Sequence, residues 1–155
     1  MEQAKFLETL IPKLSRRLFA ITSADPTAGL PASQLKICLL LQGGERCISE
    51  IAEEMTVTVS AITQLADRLE NAGLVNRVVD KIDRRVKRLR LTEYGKSLLQ
   101  ARRDLRVQRV AEALILLSPE VVSSLCDGLQ GLADAAYQVL PEVQNVMVEI
   151  VKMLG

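Results

Sequence analysis

The chain contains no histidine and no tryptophan, and its aromatic residues are two phenylalanines and two tyrosines among 155. Without histidine, the side chain that most often serves as general base and as nitrogen ligand to zinc is missing. No GxGxxG, P-loop or GxSxG run occurs either, which removes the common nucleotide-binding and hydrolase signatures. We therefore expect no enzyme, no cofactor and no metal site. Because hydrophobic residues still make up 48% of the chain, its core must be built from Leu, Val, Ile and Ala, the composition of helix packed on helix. Cys38, Cys47 and Cys126 are odd in number and far apart, fitting neither a disulfide framework nor a CxxC pair, so reduced thiols are expected. The opening MEQAKF has no basic stretch leading into an apolar one, and no apolar run approaches the roughly 18 residues of a membrane span. A cytoplasmic protein without membrane contact is the expectation.

Charge is the next thing the totals conceal. The formal net charge is +1, yet residues 77 to 109 carry twelve Lys/Arg against four Asp/Glu, while residues 110 to 155 carry one Lys against six acids. One stretch suits a polyanion and the other does not.

Apolar spacing supplies the elements. Leu7, Leu10, Ile11, Leu14 and Leu18 predict an amphipathic helix to about Ala20, bent at Pro12 or beginning there, and SADPTAGLP ends it. ASQLKICLLL, residues 32 to 41, reads as a buried helix stopped by Gln42, Gly43 and Gly44. Ile48, Ile51, Ala52 and Met55 then form one short amphipathic helix, and Ile62, Leu65, Ala66 and Leu69 a second after a turn near Thr56 to Thr58. Two short helices joined by about three residues have helix-turn-helix proportions, and the second offers Ser60, Thr63, Gln64 and Arg68 on its polar side. LVNRVVD and RVKRLRL are rich in β-branched residues and linked by KIDR, which predicts a hairpin with Asp83, Arg84 and Arg85 at its tip. This is a wing beside a recognition helix. Thr92 is an N-cap for a helix over 93 to 117, Ser118 and Pro119 start another that stops before Pro141, and VQNVMVEIVKML closes the chain.

Each polar feature has a plain alternative. Arg84 and Arg85 could be a solvated tip, but a neighbouring polar helix face and the basic surplus favour DNA, where Arg gains from the potential of a narrow minor groove. Lys87 and Arg88, with Arg90, are either water-facing strand residues or phosphate contacts. Ser60, Thr63 and Gln64 are either an ordinary wet helix face or base readers, short enough not to hold the backbone away from the groove, whereas Arg68 suits a phosphate or a helix-helix ion pair. Glu50, Glu53 and Glu54 read as a solvated face. Arg102, Arg103, Arg106 and Arg109 fit a phosphate track or a seam of ion pairs equally.

The order of elements, the wing pattern Asp83-x-Arg85 followed by a strand ending Leu91-Thr92 with Glu93 and Gly95 behind, and the stretch ADRLENAGLVNR resemble the multiple-antibiotic-resistance regulator (MarR) family of winged-helix transcription factors. The resemblance implies a mainly α fold with a small β-hairpin wing: a winged helix-turn-helix DNA-binding domain at 31–92, a connecting helix at 93–117, and terminal dimerisation helices at 1–22 and 110–155. It implies a homodimer on a pseudo-palindromic operator of double-stranded DNA, with Arg85 in the minor groove, Asp83 bracing the wing, and Ser60, Thr63, Gln64 and Arg68 towards the major groove or phosphates. A repressor relieved by a small-molecule effector follows from it. The competing expectation is a helical protein-interaction module that uses the winged domain without DNA.

Overall fold

A helix whose apolar positions wrap all the way round must be enclosed on every side, and α2 (Ala32–Leu40) is of this kind, with Gln34, Leu35, Ile37, Cys38, Leu39 and Leu40 all buried. The computed structural model describes residues 1–79 and 86–139, so Asp83, Arg84 and Arg85 lie outside the described residues. In chain order α1 (Glu2–Leu18) and α2 are followed by a 3-10 turn (Leu41–Gly43), β1 (Arg46–Cys47), α3 (Ile48–Met55), α4 (Val59–Asn71), β2 (Val75–Val79), β3 (Lys87–Leu91), α5 (Glu93–Leu114) and α6 (Pro119–Val139). The chain divides into two compact units, Ser23–Arg102 and a helical one made of Met1–Thr22 with the chain from Arg103 onward.

The unit Ser23–Arg102 is a winged helix-turn-helix. Ile37, Ile51, Ile62, Leu69 and Leu89 are fully buried, each contributing about 2 kcal/mol on removal from water, and no aromatic side chain joins them. Burial also pushes the Cys38 thiol up to about 11, so it stays protonated and inert at neutral pH. The sheet has three antiparallel strands in the order β1-β3-β2, with Val75 opposite Leu91, Arg77 opposite Leu89 and Val79 opposite Lys87. A two-stranded hairpin was expected. β1 adds a third strand through Arg46 opposite Leu89 and Cys47 opposite Arg88, so β3 is central and β2 is an edge.

Local chemistry fixes where α3 and α4 begin and end. The Glu50 carboxylate accepts the Cys47 backbone N–H at 2.9 Å, closing a capping box at the start of α3. Thr58 Oγ1 accepts the Ala61 N–H at 3.2 Å and starts α4. Between them Thr56 takes φ 56° and ψ 45°, a left-handed conformation that a β-branched residue pays roughly 1–2 kcal/mol to adopt. Glycine would lose that strain but more chain entropy, roughly 0.5–1 kcal/mol, on folding. Thr56→Gly is therefore expected to raise stability by about 0.5 kcal/mol, read as a small upward shift of the urea midpoint.

In the helical unit α1 runs unbroken through Pro12, which neither starts nor ends it. Neither α1 nor α6 buries a single residue, although both carry leucines at helical spacing. Cys126 is a free thiol exposed on α6.

Candidate DNA interface

Successive residues of α4 turn by 100°, so a residue and those four and seven positions on share a face. Ile62, Ala66 and Leu69 turn inward and are buried, which leaves Ser60, Gln64 and Arg68 exposed on the outer side. Thirteen residues give a rod of about 20 Å, matched to a groove about 12 Å wide. Thr63 differs from the other three. It is half-buried, its hydroxyl donates to the Val59 carbonyl at 2.8 Å, and its own carbonyl accepts from Arg77 at 3.2 Å.

Arg77, on β2, is the residue that sequence reasoning passed over. Its Nη1 donates to Glu70 Oε2 at 2.7 Å and its Nη2 to Asp67 Oδ1 at 2.6 Å, while its backbone N–H donates to Glu70 Oε1 at 3.1 Å. Because β2 is an edge strand, that N–H points away from β3, and Glu70 satisfies it. The hydrogen bond it donates to Asp67, ahead of the opposing effect of burial, holds the Arg77 guanidinium pKa above its ordinary value. One planar fork thus grips helix positions 63, 67 and 70 at once.

The wing strand β3 alternates. Leu89 and Leu91 are buried, while Arg88 and Arg90 fall on the opposite face. Lys87 is exposed and pairs with Val79 at the last described rung, and Arg90 sits 3.6 Å from Glu45. Arg88 is half-buried and engaged within the fold.

Much of the basic surplus beyond the wing is spent internally. Arg102 is buried with its Nε 3.5 Å from Asp25 Oδ2, Arg106 is buried with its guanidinium 4.2 Å from the Phe19 ring centre, and Arg109 donates to Ala20 O at 2.7 Å and Thr22 Oγ1 at 2.6 Å. These three form no phosphate track, and only Arg103 of the four is exposed with no described partner. The acidic face of α3 is structural too: Glu50 caps the helix and Glu54 pairs with Arg46. Among the described residues no cluster of three or more His, Cys, Asp or Glu could hold a metal ion, and no helix is long and apolar enough to cross a membrane.

A family model described as the MarR family matches residues 33–87, which run from α2 to the first residue of β3. The chain is 36% identical over 103 residues to YfiV, an uncharacterized HTH-type transcriptional regulator of Bacillus subtilis (strain 168), covering 66% of this chain and 64% of that protein. It is 37% identical over 89 residues to MdtR, an HTH-type transcriptional repressor of the same organism, covering 57% of this chain and 56% of that one. It therefore spans less than two thirds of the length of either curated relative. Among solved structures, the YusO protein of Bacillus subtilis is 31% identical with a TM-score of 0.67, covering 87% of this chain and 94% of that one. A family model over the helix-turn-helix and a structural relative matched along nearly its whole length agree, and this chain belongs to the MarR family of DNA-binding transcriptional regulators, which are not enzymes.

Proposed function

We propose that the protein is a repressor that binds a pseudo-palindromic operator as a homodimer and is relieved by a small-molecule ligand. The observation that carries the dimer is the helical unit's unburied apolar surface. Phe6, Leu10, Ile11 and Leu14 on α1, and Val121, Leu125, Leu129 and Leu132 on α6, are exposed at helical spacing. Contiguous apolar surface of that extent is unfavourable in water, and a second copy is the partner that every cell making this chain supplies. A dimer carries two α4 helices, which suits two half-sites one helical turn apart.

Within each α4, we assign base contacts to Ser60, Thr63 and Gln64 and a phosphate contact to Arg68. At the wing we assign DNA contacts to Arg84, Arg85, Lys87 and Arg88, with Asp83 as brace. Support comes from the exposure of Ser60, Gln64, Arg68 and Lys87 and from the repressor named among the relatives. For ligand relief, the supporting feature is a cavity of about 340 Å3 in the helical unit, lined by Phe19, Arg103, Arg106, Val107, Val110 and Leu114. That volume is within the range that small organic molecules occupy.

Sedimentation together with a shift assay on the chain's own upstream DNA tests this reading. The expected result is a dimer whose affinity falls by about 0.9 log units per log unit of salt for each phosphate neutralised. Gln64→Ala is expected to weaken a specific duplex about tenfold, the worth of one good base contact, and leave dimerisation unchanged. A monomer in solution, or no specific retardation at moderate salt beside a robust protein partner, would move the protein to the interaction-module class.

A further inference from the structure

A helix offered to a polyanion should not be acidic, yet α4 carries Asp67 and Glu70 against the single cation Arg68. Asp67 follows Ser60 by seven residues, which puts both within about 20° of one direction on the helix, the side turned to solvent. Its side chain is 55% exposed. Left alone, that carboxylate would meet the phosphates and base edges with charge of the wrong sign, and like charges brought together across an interface are strongly unfavourable.

Arg77 removes the conflict. Its fork lies 2.6 Å from Asp67 and 2.7 Å from Glu70, and its single positive charge, added to that of Arg68, balances the two carboxylates of the helix. A planar guanidinium can hold two carboxylates at once, where an ammonium is a single point charge. The pairs are a quarter to a half exposed, and pairs so placed add little to folding stability, so stability does not account for the arrangement. Its effect is on the field that α4 presents.

We propose that Arg77 is a positioning residue for DNA binding, which acts through Asp67 and Glu70 by neutralising an otherwise acidic recognition helix. The proposal rests on α4 being the helix that enters the groove, and the controls below separate the two claims. It assigns Arg77 no direct contact with DNA.

The test uses the full chain and a duplex selected by the wild-type protein from a random pool, with affinity followed by fluorescence anisotropy across a salt series. Arg77→Gln is expected to weaken binding on the order of tenfold or more while barely moving the urea midpoint. Adding Asp67→Asn and Glu70→Gln to it should restore affinity to within about threefold of wild type and keep the wild-type salt slope, because no phosphate contact has been removed. Were Arg77 instead a phosphate ligand, the triple variant would stay weak and its slope would fall by about 0.9, which overturns the proposal. Wild-type affinity in Arg77→Gln beside a weakened Gln64→Ala overturns it while sparing the assignment of α4, whereas wild-type affinity in both removes that assignment and the proposal with it. If Arg77→Gln does not fold, the double variant Asp67→Asn/Glu70→Gln with Arg77 kept decides: a helix freed of both acids should bind within about threefold of wild type or more tightly, and a loss of about tenfold in that folded protein defeats the account by charge.

Discussion

Gly95→Ala is expected to lower stability by about 3 kcal/mol, although alanine is the better helix former by roughly 1 kcal/mol. Gly95 lies in the first turn of α5, where the helix passes against the chain leaving α4. A Cβ there would come within 2.3 Å of the Leu74 carbonyl oxygen and 3.2 Å of Leu91 Cδ2. A flexible side chain could yield to such an approach, but a carbonyl held in place cannot. Leu74 O accepts the Thr92 N–H at 3.0 Å, Thr92 Oγ1 donates to Gly73 O at 2.6 Å, and the same hydroxyl accepts the Gly95 N–H at 2.9 Å. Thr92 therefore caps α5 and ties its start to the end of α4 in one place, with Gly95 as the residue that lets the backbones meet. Moving α5 outward to admit a methyl carries Thr92 with it and breaks its hydrogen bonds to Leu74 and Gly73 together. Equilibrium urea unfolding measures the loss, and an unchanged midpoint for Gly95→Ala would show that the helix start tolerates a shift its bonding argues against.

The same corner marks how far the sequence could be read. Thr92 and Gly95 stand out in it as a cap and as part of a family pattern, but the reason for the glycine is a distance to Leu74, which no spacing encodes. Helices α3 and α4 were legible because burial on one side imposes a period of 3.6 on Ile48, Ile51 and Ala52 and on Ile62, Ala66 and Leu69. β1 was not. Two residues hold no period, and Arg46 and Cys47 are a strand only because β3 lies beside them. α5 stops at Leu114 instead of running to 117, since Ser118 is already turned to cap α6, with its Oγ accepting the Val121 N–H at 3.4 Å. Charge is only partly legible for a related reason. Lys and Arg are solvated by default, so the tally over 77 to 109 treats every one as surface, whereas tertiary packing withdraws Arg102 and Arg106 into the interior and commits Arg77 to two acids on α4. The partners of Arg77 lie 7 and 10 positions away on a different element, a relation visible only once β2 is known to run along α4.

Arg102 carries the other large effect, since its partner Asp25 is 77 positions away and both are almost wholly buried. Asp25 organises the segment before α2. Its Oδ1 accepts the Thr27 N–H at 2.8 Å and the Thr27 hydroxyl at 2.6 Å, and Thr27 is itself fully buried, so the carboxylate cannot swing out to water without unmaking that turn. Oδ2 faces Arg102 Nε at 3.5 Å, an ion pair longer than a hydrogen bond. Such a pair adds little over a well-packed apolar replacement, but removing one partner leaves the other charge buried and uncompensated. Arg102→Ala is accordingly expected to cost about 3 kcal/mol, at the lower end for a broken buried pair because the Thr27 bonds to Asp25 remain. The double variant Asp25→Asn/Arg102→Met removes both charges and keeps the volume, and it should unfold at a higher urea concentration than Arg102→Ala alone. If the double variant were the weaker of the two, the attraction across 3.5 Å would outweigh the cost of burying both charges, and the pair would be a net source of stability for the winged unit instead of a balance that only its disruption exposes.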